Sequence, residues 1–431
     1  MGHAILLFAY RTHVMTVSLG QLESDARAFL DAHAEPLGPD DRSFVWGEGS
    51  DDVSLIEEKD PERDRADLAA AQRWAALRYD AGFGWLDGPV IYGGRGLTPQ
   101  HQQTYRALEN RYRVPDQSYF TIGLGMVAPT ILVHGTEEVK RRYLASLYRG
   151  DIVACQLFSE PGAGSDLAGV TTSAIKDGDE WVLSGQKVWT SNAHLSQIGE
   201  ILCRTDADQP KHRGLTAFVV DMHAPGVEVR PLRQMTGGAG FNEVFFSHVR
   251  VPDSHRLGDV NAGWTVALTT LLNERAAIGS GMGLGRGPGP FSRLVALMRH
   301  FDADGDPVAR SQLARLYSAQ RVVAWTLARA TAKVEAGQLP GAELTILKLL
   351  GTNHLQDLTD FVGAVLGPRL VADGGEWGTF AWSRFVCGVP GGRLGGGTDE
   401  VLRNIIGERV LGLPKEPVTD SAHPFRNLAH N

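Results

Sequence analysis

Apolar residues recur at helical spacing from residue 17 to about residue 151. Leu19, Leu22, Ala26, Phe29 and Leu30 form one stripe, and Ala69, Trp74, Leu77 and Ala81 continue the habit. Between them, residues 47–67 are charged and turn-rich, which predicts a solvated loop with a short helix. Tyr92-Gly93-Gly94-Arg95-Gly96 predicts a turn between helices, and Lys140-Arg141-Arg142 a solvated helical face. The period changes near residue 152. Asp177-Gly178 separates the strand-like runs 171–175 and 181–183, a hairpin signal, and runs 216–220, 226–229 and 244–251 predict further short strands. After Pro252 the helical period returns over 264–282, 292–300, 307–335, 342–366 and 398–411, lengths that suit a helical bundle.

The resulting order is α, then β, then α, an α+β chain with divisions at 17–151, 152–252 and 253–415. Without regular βαβ alternation, a doubly wound dinucleotide-binding sheet is excluded.

Composition narrows the function classes. The 431 residues carry 42 Lys plus Arg against 50 Asp plus Glu, a net charge of −8, with no basic stripe. That balance argues against nucleic-acid binding. Cys155, Cys203 and Cys387 are odd in number and far apart, so they support neither a disulfide framework nor a cysteine-built metal site. The expected compartment is reducing and cytoplasmic. The histidines form no HExxH pair and no cluster at metal spacing, and there is no GxSxG elbow. The apolar run 4–10 lacks a basic flank and a cleavage signal, and is too short to span a bilayer; an alternative translation start at Met15 would leave it outside the fold. The glycine-rich run 279–285 has no strand before it and no Gly-Lys-Ser/Thr ending, so it is expected to serve helix packing or a kink and not a phosphate.

Two segments carry candidate chemistry. Gln156-Leu157-Phe158-Ser159-Glu160-Pro161-Gly162-Ala163-Gly164-Ser165-Asp166 passes from a strand end into a glycine-rich turn whose amides and polar side chains suit a cofactor's carbonyls and ring nitrogens. Gly185-Gln186-Lys187-Val188-Trp189-Thr190-Ser191-Asn192 offers an indole that could stack on a flat cofactor or fill a core. Together they resemble the acyl-CoA dehydrogenase family, whose middle-domain motifs read close to TEPGAGSD and GxKxWITN. The resemblance continues through Phe241-Asn242-Glu243-Val244-Phe245-Phe246 and the run from Gly397-Thr398-Asp399-Glu400 to Glu408-Arg409, and spans residues 17–414.

The resemblance implies an N-terminal helical domain, a middle β-barrel and a C-terminal four-helix bundle. It also implies FAD, an acyl-CoA thioester substrate oxidised to a trans-2-enoyl-CoA, and an electron-transfer flavoprotein as acceptor. On the matched motifs, Gln156, Phe158 and Ser159 face the flavin ring, Trp189 and Ser191 lie against its other side, and Ser165 borders the thioester arm of CoA. Thr398 and Glu400 fall among the cofactor contacts, Glu400 toward its distal part.

Two departures bear on mechanism. Many family members hold the catalytic base in a YEGT loop, whereas here the loop reads Gly395-Gly396-Gly397-Thr398. Gly396 keeps only the backbone amide, which in the family donates to the thioester oxygen. A second subgroup places the base on a helix before an arginine, which matches Leu272-Asn273-Glu274-Arg275. Adjacent helical residues point about 100° apart, so Glu274 can face the flavin while Arg275 turns toward CoA or the bundle. Glu400 is the rival carboxylate.

The second departure lies in the half-site a neighbouring subunit gives to FAD. In place of RxxFG and QxxGGxG stand Met298-Arg299-His300-Phe301-Asp302 and Ala364-Val365-Leu366-Gly367-Pro368-Arg369-Leu370. Either a homo-oligomer, the favoured reading, holds the cofactor by other contacts, or a related subunit completes the site in a hetero-oligomer, an arrangement found in the family on bulky acyl-CoAs such as sterol side chains. Two further alternatives are a non-catalytic chain that completes a partner's flavin site, and an oxygen-using oxidase or monooxygenase. The loop glycines of 391–397 leave room for a bulky acyl group, or serve the turn itself.

Overall fold

The structure is a computed structural model that describes residues 17–38, 44–55, 59–279, 289–335, 343–415, 417 and 422–428. Runs 4–10 and most of 279–285 therefore lie outside the described residues.

Helix α1 (Leu19–His33) is capped by the Ser18 hydroxyl and buries Leu22, Ala26, Phe29 and Leu30, the residues of the predicted stripe. Helix α2 (Pro61–Asp80) starts inside the segment expected to be mostly loop. The Asp60 carboxylate caps it by accepting from the amides of Glu62 and Arg63, and a proline opens its first turn. The stretch before α2 is also less solvated than its charge suggests, because Val53 and Leu55 are buried in the core of the C-terminal helices. Helices α3 (Pro99–Glu109), α4 (Ala128–His134) and α5 (Glu137–Arg149) complete the first helical part. The short strands β1 (Glu35–Pro36) and β2 (Tyr112–Arg113) pair beside it.

The middle of the chain is a mixed eight-stranded sheet. Its strands are β3 (Ala154–Leu157), β4 (Ser173–Asp177), β5 (Glu180–Ser191), β6 (Ile198–Arg204), β7 (Leu215–Asp221), β8 (Val227–Leu232), β9 (Phe241–Pro252) and β10 (Arg256–Leu257). The order is β10-β7-β6-β4-β5-β9-β8, with β3 parallel to β6. Strand β6 is buried along its whole length because both faces are covered. Ile201 and Cys203 point into the apolar interior of the sheet, while Ile198 and Leu202 pack toward α4 and α5. By the two-residue period of a strand, Glu200 shares the helix-facing side.

The C-terminal helices are α6 (Gly263–Gly279), α7 (Phe291–His300), α8 (Pro307–Glu335), α9 (Glu343–Leu366), α10 (Ala381–Leu394) and α11 (Asp399–Arg409). Leu294, Leu297, Leu358, Phe361, Trp382 and Phe385 form their common core. Residues 391–394, expected in a glycine loop, are the last turn of α10, which contains Pro390. Burial of Trp382, Phe385 and Val389 on one stripe outweighs the low helix propensity of Pro390, Gly391 and Gly392. The turn proper is Gly395–Gly397. No helix among the described residues is long and apolar enough to cross a membrane.

Candidate active site

Lys187 joins the two motif segments. Its ammonium, fully buried, donates to Glu160 Oε1 at 2.9 Å, to the Phe158 carbonyl at 3.0 Å and to the Leu202 carbonyl at 2.7 Å. The Val188 amide adds a bond to the Ser159 carbonyl at 2.9 Å. Glu160 also accepts from the Thr171 amide and hydroxyl and from the Thr172 amide. Burial by itself would raise the Glu160 carboxyl, but the Lys187 charge and these donors outweigh it and hold it near about 2.

The clasp fixes the residues expected at the cofactor ring. Phe158 is buried, Gln156 and Ser159 are half-buried, and Ser165 is exposed in the turn that follows. After Lys187 the β5–β9 ladder is interrupted, and Trp189 takes a left-handed backbone with φ 60°. Its indole is 57% exposed and meets the Phe241 ring edge-on at 6.0 Å, so the core reading of this tryptophan does not hold. Ser191 is half-buried beside it. The Ser159 and Ser191 hydroxyls have no partner among the described residues, and the neighbouring Thr190 Oγ1 is buried without one. An outward indole with half-buried serine hydroxyls close to it in the chain suits a flat, polar-edged ring.

Strand β3 links this face to α6. Gln156 pairs in register with Glu200 on β6. Glu200 is fully buried, and its Oε1 lies 2.6 Å from the Thr270 hydroxyl of α6. Thr270 in turn lies 2.9 Å from Thr130 of α4, which donates to the Met126 carbonyl. Burial raises the Glu200 carboxyl to about 8, against the lowering effect of the Thr270 bond. His134 Nε2 and Thr269 Oγ1, 2.8 Å apart, tie α6 to α4 a second time. Helix α6 is thereby pinned one turn before the candidate base, since Thr270 and Glu274 are four residues apart and share a face. Glu274 is half-buried; the Arg275 side chain lies outside what is described.

Helix α9 packs against α6, and its Lys348 reaches the glycine turn. It is buried and donates to the Gly397 carbonyl at 2.8 Å and the Arg393 carbonyl at 3.3 Å. Burial lowers its ammonium, an effect opposed by the charges of Asp399, Glu274 and Glu400. Gly396 and Gly397 have φ of 69° and 96°, a left-handed region where a side chain is strained. Thr398 caps α11 by accepting from the Val401 amide. Glu400 is exposed and lies 3.7 Å from Arg403. Arg299 is displaced to an open hollow of about 540 Å³ beside Trp46 and His300.

Three family models match in order: the acyl-CoA dehydrogenase N-terminal domain over 54–151, the middle domain over 155–249 and the C-terminal domain over 261–411. The chain belongs to the acyl-CoA dehydrogenase family. It is 38% identical to the acyl-CoA dehydrogenase IpdE1 of Mycobacterium tuberculosis, over 83% of this chain and 91% of that protein. It is 43% identical to the acyl-CoA dehydrogenase FadE34 of the same organism over 67% of this chain, a match that spans only 39% of FadE34. Among solved structures, it is similar to the Tcur3481-Tcur3483 steroid ACAD, at TM-score 0.70 and 28% identity over 92% of this chain and 98% of that one. It is also similar to the ChsE4-ChsE5 complex from Mycobacterium tuberculosis, at TM-score 0.66 and 26% identity over 93% of this chain and 100% of that one.

As a family enzyme, the chain shows four candidate residues that motif reading passes over. Lys187 and Glu160 sit inside the quoted motifs as ordinary charged residues, and only their spacing in the fold reveals the pair. Glu200 occupies an alternating position that reads as solvent-facing. Lys348 stands on a helix whose pattern gives no sign that a turn 49 residues later covers it.

Proposed function

We propose that this chain is an FAD-dependent acyl-CoA dehydrogenase that converts an acyl-CoA to its trans-2-enoyl-CoA and passes the electrons to an electron-transfer flavoprotein. The observation that carries the reading is the path Gln156–Glu200–Thr270. It anchors the strand expected at the flavin to the helix of Glu274, while α9, packed against that helix, holds the Gly395–Gly397 turn through Lys348.

When bound, FAD supplies a two-electron acceptor for the hydride leaving the β-carbon. Phe158, Ser159, Trp189 and Ser191 would hold its ring, and Gln156 would support that surface. Glu274 takes the α-proton from the thioester. The Gly396 amide donates to the thioester oxygen, where negative charge develops as the proton leaves. Substrate seated over Glu274 excludes water and raises the carboxylate's basicity. Arg275 and Ser165 are the proposed contacts to CoA.

For the acyl group we favour a bulky, branched or polycyclic chain. The loop position that carries a glutamate in YEGT members is a bare glycine here, and similar chains include one titled a steroid ACAD. The active unit is proposed to be an oligomer. Helix α8 exposes Tyr317, Val322 and Trp325, apolar area suited to a second subunit.

An anaerobic titration of the purified chain with a panel of acyl-CoAs, followed by flavin absorbance near about 450 nm, tests the reading. Bleaching by polycyclic or branched acyl-CoAs in preference to butyryl-CoA is expected. A flavin that no acyl-CoA bleaches would overturn the reading in favour of a chain that only completes a partner's site. Turnover that consumes oxygen without an added acceptor would point instead to an oxidase.

A further inference from the structure

The C-terminal segment 422–428 lies against the connection between β6 and β7, and that connection holds the turn of Ser165. Main-chain bonds seat the segment: the Phe425 amide donates to the Gln209 carbonyl at 2.9 Å and the Arg426 amide to the Ala207 carbonyl at 3.0 Å. Arg426 adds an ion pair with Asp208. Phe425 is buried, and its ring covers the guanidinium of Arg204, the last residue of β6, with 3.7 Å from the guanidinium carbon to the ring centroid. The N–H groups of that guanidinium donate to the Ala168 and Val170 carbonyls and, at 2.8 Å, to the Lys211 carbonyl. A guanidinium bonds along its edge and stacks on its face, so one side chain serves both contacts at once. Lys211 completes the circuit, its ammonium lying 3.0 Å from Asp166 Oδ2. The residues just after Ser165 are thus held at Asp166, Ala168 and Val170 by two side chains, of which Arg204 lies under Phe425.

Resting on the reading of Ser165 as a contact to CoA, we propose that Phe425 is a positioning residue for acyl-CoA binding: its ring closes over Arg204 and keeps the guanidinium on the carbonyls that set the turn of Ser165. The Glu160 carboxylate fixes the two ends of that turn by accepting from the Thr171 and Thr172 amides. Between the ends, Gly164, Ser165 and Asp166 are exposed. An exposed turn keeps one shape only where its main chain is tied down, and here Arg204 and Lys211 supply the ties. Without the aromatic cover, water reaches the guanidinium and competes for its donors. The turn then samples other arrangements, and the free energy of ordering it is subtracted from CoA binding. A segment that served stability alone would lower the melting temperature and leave the turn of Ser165 as it is.

Free coenzyme A, titrated calorimetrically into the flavin-loaded protein, reads the turn without depending on the acyl chain. The variants are Phe425→Ala, Phe425→Leu, Phe425→Tyr, Ser165→Ala and the double variant that combines Phe425→Ala with Ser165→Ala. For Phe425→Ala the account expects coenzyme A affinity weaker by about tenfold. Flavin content should be unchanged, and the bleaching rate at a saturating level of the acyl-CoA that bleaches the wild type should stay within about twofold, so that the loss falls on KM and not on kcat. Phe425→Tyr keeps the stacked face and should bind as the wild type does. Phe425→Leu keeps an apolar cover without the face and should lose about threefold, which keeps the test open should Phe425→Ala not fold. In the double variant the two losses should not add, because both act through one turn. Wild-type coenzyme A affinity in Phe425→Ala or Phe425→Leu, or losses that add in full, overturns the inference. Wild-type affinity in Ser165→Ala would instead overturn the reading of Ser165 as a CoA contact, an outcome distinct from the first.

Discussion

Lys187 and Glu160, 2.9 Å apart and both buried, clasp the strand end at 156–160 to the strand that carries Trp189. Each half of the pair lies in a different motif, so the ion pair is the physical reason the two motifs act as one surface. Removing one partner strands the other charge in an apolar interior, which costs about 3–5 kcal/mol. Lys187→Met is therefore expected to lower stability by that amount and to lose flavin on purification, while adding Glu160→Gln recovers part of the loss. Denaturant melts of the two single variants and the double variant measure the coupling directly.

The same pair sets an acid limit. The Glu160 carboxyl is held near about 2, below its unfolded value of 4.5. Its stabilising contribution is present above pH 4.5 and fades as the pH falls toward 2. Melting temperatures recorded across that window should drop more steeply in the wild type than in Glu160→Gln.

Glu200 has the opposite sign. Its carboxyl is raised to about 8 from 4.5, so between these values the folded chain holds a proton that the unfolded chain has released. Stability should fall as pH rises through that window. Glu200→Gln preserves the hydrogen bond toward Thr270 without the ionisation, and is expected to flatten the slope and to raise Tm at pH 8. A Tm lower than wild type at pH 8 would show that the carboxylate is the working form.

Trp189 is more than half exposed, so its removal should be nearly silent for folding. Trp189→Ala is expected to change stability by no more than about 0.5 kcal/mol and to weaken flavin binding at least tenfold. Fluorescence titration of the stripped protein with FAD reads the second effect.

Much of the architecture is legible from period alone. The alternation that begins near residue 152 and ends at Pro252 separates the sheet from its flanking helices because strand and helix periods do not mix. The stripe of α1 and the length of α8 need no tertiary information. Other features depend on contacts that local pattern cannot carry. Helix α10 contains Pro390, Gly391 and Gly392, so its turn-like composition conceals a helix stabilised by Trp382 and Phe385. The segment before α2 looks solvated until Val53 and Leu55 meet the C-terminal core. Glu200 and Lys348 look like surface charges because alternation and amphipathicity assume that one face meets water, whereas both faces of β6 are covered and α9 is overlaid by the turn after α10. The motifs themselves are readable, and in the fold Trp189 is exposed and Glu274 half-buried.

The central claim is that Glu274 removes the α-proton. Glu274→Gln, purified with its flavin and titrated anaerobically with the acyl-CoA that bleaches the wild type, tests it most directly. The account predicts flavin content and acyl-CoA affinity close to wild type, with the rate of bleaching reduced at least a thousandfold. Bleaching at a near-normal rate would contradict it and require another base.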